Sequence, residues 1–264
     1  MKPESLFDGR IMLYRGDAIK IVRKLGLVDH VICDPPYEET MHRAKTRRAA
    51  VRLNGKRISG PVSFKSIGRV REQITPHLID RCRGWFIAFC SPEGIAPWRD
   101  AIETAGARYK RACFWCKSDA APQFNGQGPA YAVEPFVTAW CGRGVSEWNG
   151  GGMRNYWIFP TSPPERQGDH PTEKPLALMA QLLLMFTKPG DVVLDPFMGS
   201  GSTMLACLQT DRLGIGIENN KKYYALAKAR IEAMMMGPEE GNRHIVRQTG
   251  KLVHAPGPLF GSGL

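Results

Sequence analysis

Residues 191–220 read DVVLDPFMGSGSTMLACLQTDRLGIGIENN, and the reading of this stretch decides the fold. An apolar run ends in Asp195, and a turn marked by Gly199 and Gly201 follows it. A segment of helix length, 202–209, leads to a second apolar run, 213–217, which ends at an acid, Glu218. Strand, tight turn, helix and strand in that order make a parallel βαβ unit. Glycines let a backbone approach a ligand closely, and the N–H groups opening the helix favour an anionic group. An acid closing the second strand can accept hydrogen bonds from two ribose hydroxyls.

The spacing departs from two commoner nucleotide sites. A G-x-G-x-x-G dinucleotide turn would need glycine at Met204, and a phosphate loop would need lysine before Ser202 or Thr203. The unit therefore suits a nucleoside without a pyrophosphate, S-adenosylmethionine first among them. By itself the Gly-x-Gly turn serves close packing as readily as it serves a ligand.

Outward from this unit, strands are predicted at 10–14, 28–33, 85–90, 109–116, 133–140, 156–159, 192–194 and 213–217. Helices are predicted near 17–25, 70–83, 93–105, 174–187, 202–209 and 221–235. That alternation predicts a doubly wound α/β fold around a mostly parallel sheet. Leu176, Met179, Leu183 and Phe186 form one helical stripe, and Tyr224, Ala227, Ile231 and Met234 another, with Asn219 and Asn220 as candidate caps. Both stripes read as core.

A chain of 264 residues, 43% hydrophobic and 23% charged, can bury one large core. No apolar run approaches the roughly 20 residues that cross a bilayer, and the opening MKPESLFDGR lacks a leader's apolar region, so a cytoplasmic protein is expected. The seven cysteines are odd in number and scattered through apolar runs, which predicts reduced thiols. Cys113 and Cys116 are spaced as a metal half-site, but on a strand they point to opposite faces and no second pair completes it. No metal is expected.

The net charge of +11 is concentrated. Ten Lys or Arg and no acid fall between Thr40 and Arg71, so 38–72 reads as a basic mobile loop, suited to a polyanion or else merely solvated. From Gly237 onward the chain holds six Gly and three Pro and is expected to be a flexible tail, 237–264.

A second strand ends in VICDPPYEET, residues 31–40. Asp34 and Asp195 each follow an apolar strand, and ligands of parallel sheets sit at such carboxyl ends, so the two turns should face one crevice. Asp34-Pro35-Pro36-Tyr37, with DPFMGSGST (195–203), GIGIENNKKYYALAKARI (214–231) and HPTEKP (170–175), resembles the amino-group DNA methyltransferases, which methylate adenine N6 or cytosine N4. The order, with the Asp-Pro-Pro-Tyr motif first, is similar to that family's permuted β group, and the resemblance spans about residues 10 to 232.

The resemblance implies a single Rossmann-like methyltransferase domain over 1–236 that uses S-adenosylmethionine on duplex DNA. It implies that Asp34 and the Pro35 carbonyl accept the two protons of the target amine, that Pro36 fixes the bend, and that Tyr37 stacks on a flipped-out base. It places Phe197 against the methionine part of the cofactor, the turn of Asp195, Gly199, Ser200, Gly201, Ser202 and Thr203 under its carboxylate, and Glu218 on the ribose. Asp17 matches a position that meets the cofactor adenine, and equally reads as a helix N-cap. Lys174, in the first turn of a helix begun at Thr172, opposes the helix dipole and so calls for an anionic partner such as the cofactor carboxylate, or else is a solvated lysine. His170 reads as structural. Phosphate contacts are expected from Arg43, Lys45, Arg47, Arg48, Arg52, Lys56 and Arg57, and from Lys117, Arg143 and Arg154 of a recognition segment, 117–155. A homodimer and a partner restriction nuclease are admitted as partners. Asp34 favours adenine, since cytosine-specific relatives more often carry Ser there. The rival readings are an RNA or protein-amide methyltransferase, whose members often carry Asn at that position, and a non-catalytic nucleic-acid-binding module, which would have a disrupted Asp34 or Glu218.

Overall fold

A computed structural model describes residues 2–36, 67–124, 126–161, 173–236 and 240. In chain order its elements are β1 (Glu4–Leu6), β2 (Ile11–Arg15), α1 (Ala18–Val22), β3 (His30–Cys33), α2 (Ile67–Arg81), β4 (Trp85–Phe89) and α3 (Ile95–Thr104). There follow β5 (Arg108–Lys117), β6 (Val133–Trp140), β7 (Tyr156–Phe159), α4 (Leu176–Phe186), β8 (Val192–Asp195), α5 (Ser202–Gln209), β9 (Leu213–Glu218) and α6 (Lys221–Ala233).

Among the described residues the strands form one sheet in the order β1-β2-β9-β8-β3-β4-β6-β5-β7. From β2 to β4 every pairing is parallel, whereas β1, and β6 against both its neighbours, run antiparallel. The central strands β3 and β4 are buried at every position, as expected of strands covered on both faces.

Two cores result. Ile32, Ile87, Phe136 and Val193 pack with α4, α5 and α6 on one face, while Val31, Phe86, Val137 and Leu194 pack with α1, α2 and α3 on the other. Alternating residues of one strand thus serve opposite layers, which is the doubly wound architecture the sequence predicts. Met179, Leu183 and Phe186 of α4, and Tyr224, Ala227 and Ile231 of α6, are buried as their stripes require. Asn220 caps α6 by accepting from the Lys222 and Tyr223 amides.

Several helix ends shift by a few residues from the sequence expectation, α1 stopping at Val22 and α2 starting at Ile67, and two further differences have a clear cause. The edge strand β1 is too short and polar to signal itself, and pairing with β2 creates it. Helix α4 begins at Leu176, with Pro175 as its N-cap, so Lys174 is not in a helical first turn. The steric reason is local: a residue preceding proline is kept out of the α region.

All seven cysteines are free thiols, and no group of residues that could hold a metal occurs among those described. Nor, among them, is any helix long and apolar enough to cross a membrane. Most of the basic segment 38–72 and nearly all of 237–264 lie outside the described residues.

Candidate active site

The parallel strands deliver their acidic carboxyl ends to one edge of the sheet. β3 lies between β8 and β4, so Asp34 emerges beside the turn that follows Asp195. Strand β6 runs the other way, and its second residue, Glu134, arrives at the same edge.

Four charged side chains meet there. The Lys174 ammonium lies 2.5 Å from Asp34 Oδ2 and 2.9 Å from Glu134 Oε1, and the Lys117 ammonium lies 2.8 Å from Glu134 Oε2. Lys174 and Glu134 are buried, at 5% and 3% exposure. The Lys174 ammonium also sits 4.9 Å from the centre of the Phe89 ring, and Lys117 lies over Trp115 and Tyr131. Burial opposes the Lys174 charge, but Asp34 and Glu134 outweigh it and raise its pKa. Burial also raises the Asp34 pKa; Lys174 works against this shift and Glu134 adds to it. The other Asp34 oxygen, Oδ1, is shielded from water and has no hydrogen-bond partner among the described residues. An uncompensated carboxylate oxygen is costly, by about 1–3 kcal/mol, until a donor reaches it.

The turn that follows β8 holds itself together largely with its own groups. Asp195 accepts from the Phe197 amide (2.9 Å) through one oxygen and from the Thr203 hydroxyl (2.6 Å) through the other. At 2% exposure its pKa is raised by burial to about 7, despite those two donors. Asp195 and Thr203, expected on the cofactor, thus tie the turn internally, because the strand buries the carboxylate before the turn begins. The Ser200 carbonyl accepts from Arg230 Nη1 at 2.8 Å, and the same guanidinium pairs with Glu173, next to Lys174. Gly201 adopts φ +88°, and a Cβ there would lie 3.0 Å from that of Ala227 in α6, so packing demands this glycine. The Gly199 amide donates to Glu218 Oε2 (3.1 Å), and the Asn220 amide to Glu218 Oε1 (2.6 Å). Burial raises the Glu218 pKa against these donors. The start of α5 has no side-chain cap, and the buried Ser202 hydroxyl is unpartnered among the described residues.

The remaining expected residues are placed as follows. Asp17 caps α1 by accepting from the Lys20 amide at 2.9 Å, beside Glu218 on the neighbouring strand. Pro35 is buried and Pro36 half-buried. Phe197 is half-buried against the α1–α3 layer. Arg143 and Arg154 are exposed, Arg154 donating to the Tyr156 hydroxyl at 2.9 Å. Lys117, expected on a phosphate, instead turns inward to Glu134, with 14% of its side chain exposed. Tyr37, His170, Arg43, Lys45, Arg47, Arg48, Arg52, Lys56 and Arg57 lie outside the described residues. Sequence reasoning missed Glu134, although one acid inside the apolar strand VEPFVTAW was a signal of a paired, buried charge.

A family profile described as DNA methylase, for N6 and N4 methyltransferases, matches residues 28–229. The chain belongs to this DNA methylase family. The enzyme is 29% identical over 275 residues to the Type II methyltransferase M.XycI of Xanthomonas campestris pv. cyanopsidis, covering 88% of this chain and 91% of that protein. It is 28% identical over 263 residues to the Type II methyltransferase M.Cfr9I of Citrobacter freundii, covering 83% and 87%. Among solved structures it is similar to M1.HpyAVI in a complex with SAM, with TM-score 0.64, 28% identity and coverage of 83% of this chain and 99% of that one. The cytosine-N4-specific PvuII DNA methyltransferase shares the fold, with TM-score 0.66 at 15% identity over 91% of this chain and 93% of that one. Asp34 and Glu218 thus stand at the mouth of a sheet shared by DNA methyltransferases, in an amino-group enzyme.

Proposed function

We propose that this enzyme transfers a methyl group from S-adenosylmethionine to the exocyclic N6 amine of an adenine flipped out of duplex DNA at a specific short sequence. The observation that carries the reading is the Asp34 carboxylate, one oxygen held by Lys174 and the other shielded and without a donor among the described residues.

S-adenosylmethionine supplies a methyl group activated on a sulfonium sulfur. The residues present fit it: the uncapped start of α5 and the Ser202 hydroxyl suit its carboxylate, and Glu218, with lone pairs left after two backbone bonds, suits ribose hydroxyls. Lys174 is engaged by Asp34 and Glu134, so its part is to hold the catalytic acid rather than the cofactor carboxylate.

An adenine amine is a weak nucleophile because its lone pair is conjugated into the ring. Asp34 Oδ1, together with the Pro35 carbonyl, accepts its two protons and localises electron density on nitrogen, so catalysis is positioning plus electrostatics. The nitrogen loses one proton as it gains the methyl group. A carboxylate whose pKa burial has raised is suited to hold that proton. Tyr37 stacks on the base, and Arg143 and Arg154 contact phosphates at the rim.

The test is transfer of labelled methyl to unmethylated duplex DNA, followed by nucleoside analysis. N6-methyladenine is expected in the product, with Asp34→Ala abolishing transfer while S-adenosylmethionine still binds. N4-methylcytosine alone would replace the adenine assignment, and full activity in the variant would overturn the role of Asp34.

A further inference from the structure

Asp34 is the near end of an alternating chain with a buried middle: Asp34, Lys174, Glu134, Lys117, at 2.5, 2.9 and 2.8 Å. The chain spans four separated parts of the sequence, from the end of β3 to the residues before α4, the start of β6 and the end of β5. Of these four side chains only Asp34 meets the target amine in the mechanism above, and Glu134 touches neither base nor cofactor in it. A second buried carboxylate on the same lysine nevertheless has a direct electrostatic consequence.

With only Asp34 to face, a buried ammonium would draw onto that one carboxylate, compete with the incoming amine for its oxygens and weaken it as an acceptor. Glu134 takes a share of that ammonium at 2.9 Å, and Lys117 in turn balances Glu134. We propose that Glu134 is a positioning residue for methyl transfer: it divides Lys174 between two carboxylates and so keeps Asp34 a strong and open acceptor for the target amine. The inference rests on the reading of Asp34 as that acceptor.

The division is tuned from both sides. Among the described residues the titratable groups facing Asp34 are Lys174 from the segment before α4, Glu134 from β6, Lys117 from β5, Asp195 from β8 and its own neighbour Cys33. Of these, Glu134 raises the affinity of Asp34 for a proton, whereas Lys174 and Lys117 lower it. Transfer needs Asp34 ionised, so its rate falls as pH drops through the Asp34 pKa, and that acid limb reports the balance.

The experiment is single-turnover methyl transfer from labelled S-adenosylmethionine to long unmethylated duplex DNA across pH, in wild type, Glu134→Gln and Lys117→Met. Glu134→Gln is expected to lower the plateau rate several-fold and to move the acid limb to lower pH by about one unit. Its binding of S-adenosylmethionine should be unchanged. Lys117→Met is expected to move the limb the opposite way, to higher pH. A packing role for Glu134 alone would lower the plateau without moving the acid limb, and that result overturns the proposal. If Glu134→Gln fails to fold, an unshifted or acid-shifted limb in Lys117→Met overturns it equally. Asp34→Ala, run alongside, separates the two levels: activity retained there refutes the reading of Asp34 itself.

Discussion

Replacing Lys174 by methionine keeps the length of the side chain and its contact with Phe89 but removes the cation from between two carboxylates. Breaking a buried ion pair from one side costs about 3–5 kcal/mol. The upper part of that range is expected, because the same ammonium serves Asp34 and Glu134 and is itself only 5% exposed. Lys117 still holds Glu134, so Asp34 bears most of the loss.

The cost must depend on pH. In wild type the Asp34 pKa already lies above its ordinary value through burial, with Lys174 opposing the shift. Without Lys174 it rises further. A carboxyl whose folded pKa exceeds its unfolded value of about 3.9 gives up its proton more readily in the unfolded chain, at about 1.4 kcal/mol per unit. Wild type and variant therefore lose this stability in parallel until the raised wild-type Asp34 pKa is passed, and the penalty that depends on pH opens between that pKa and the still higher one of the variant, then levels. Urea denaturation of wild type and Lys174→Met at pH 5 and pH 8 measures it: the variant should lose clearly more stability at pH 8. An equal loss at both values would refute the assignment of Lys174 as the counter-ion of a buried acid.

Gly201→Ala should destabilise the enzyme by roughly 1–2 kcal/mol through its left-handed backbone alone, with a further cost where the new Cβ meets Ala227. Denaturation and S-adenosylmethionine binding should worsen together, since α6 and the start of α5 are displaced as one. Asp195, with its pKa near 7, withdraws stability as pH rises from about 4 to 7. Asp195→Asn cannot ionise, so wild type should lose stability relative to the variant over that interval, and melting temperatures across it would expose a parallel course as a failure.

Much of the molecule was legible in the chain because its signals are local. Alternating apolar runs and helical stripes predicted the layers, and Gly199, Gly201 and Glu218 marked the βαβ unit. The DPPY motif, with its order relative to DPFMGSGST, carried the family. Even the start of α4 lay within reach, since Lys174 precedes a proline.

Charge pairing was not legible. Lys174 read as a partner for an anionic ligand and Lys117 as a phosphate contact, because a lysine in a sequence shows its charge and not its neighbour. Asp34 and Lys174 are 140 residues apart in sequence, and only the placing of β3 between β8 and β4, with β6 reversed beside them, brings both to Glu134. The sequence by itself determined the layers, the motifs and the chemistry on offer, since these depend on residue type and spacing. Tertiary structure decided which charges face inward and which oxygen of Asp34 stays without a donor among the described residues, since burial and electrostatic pairing are properties of distance in space.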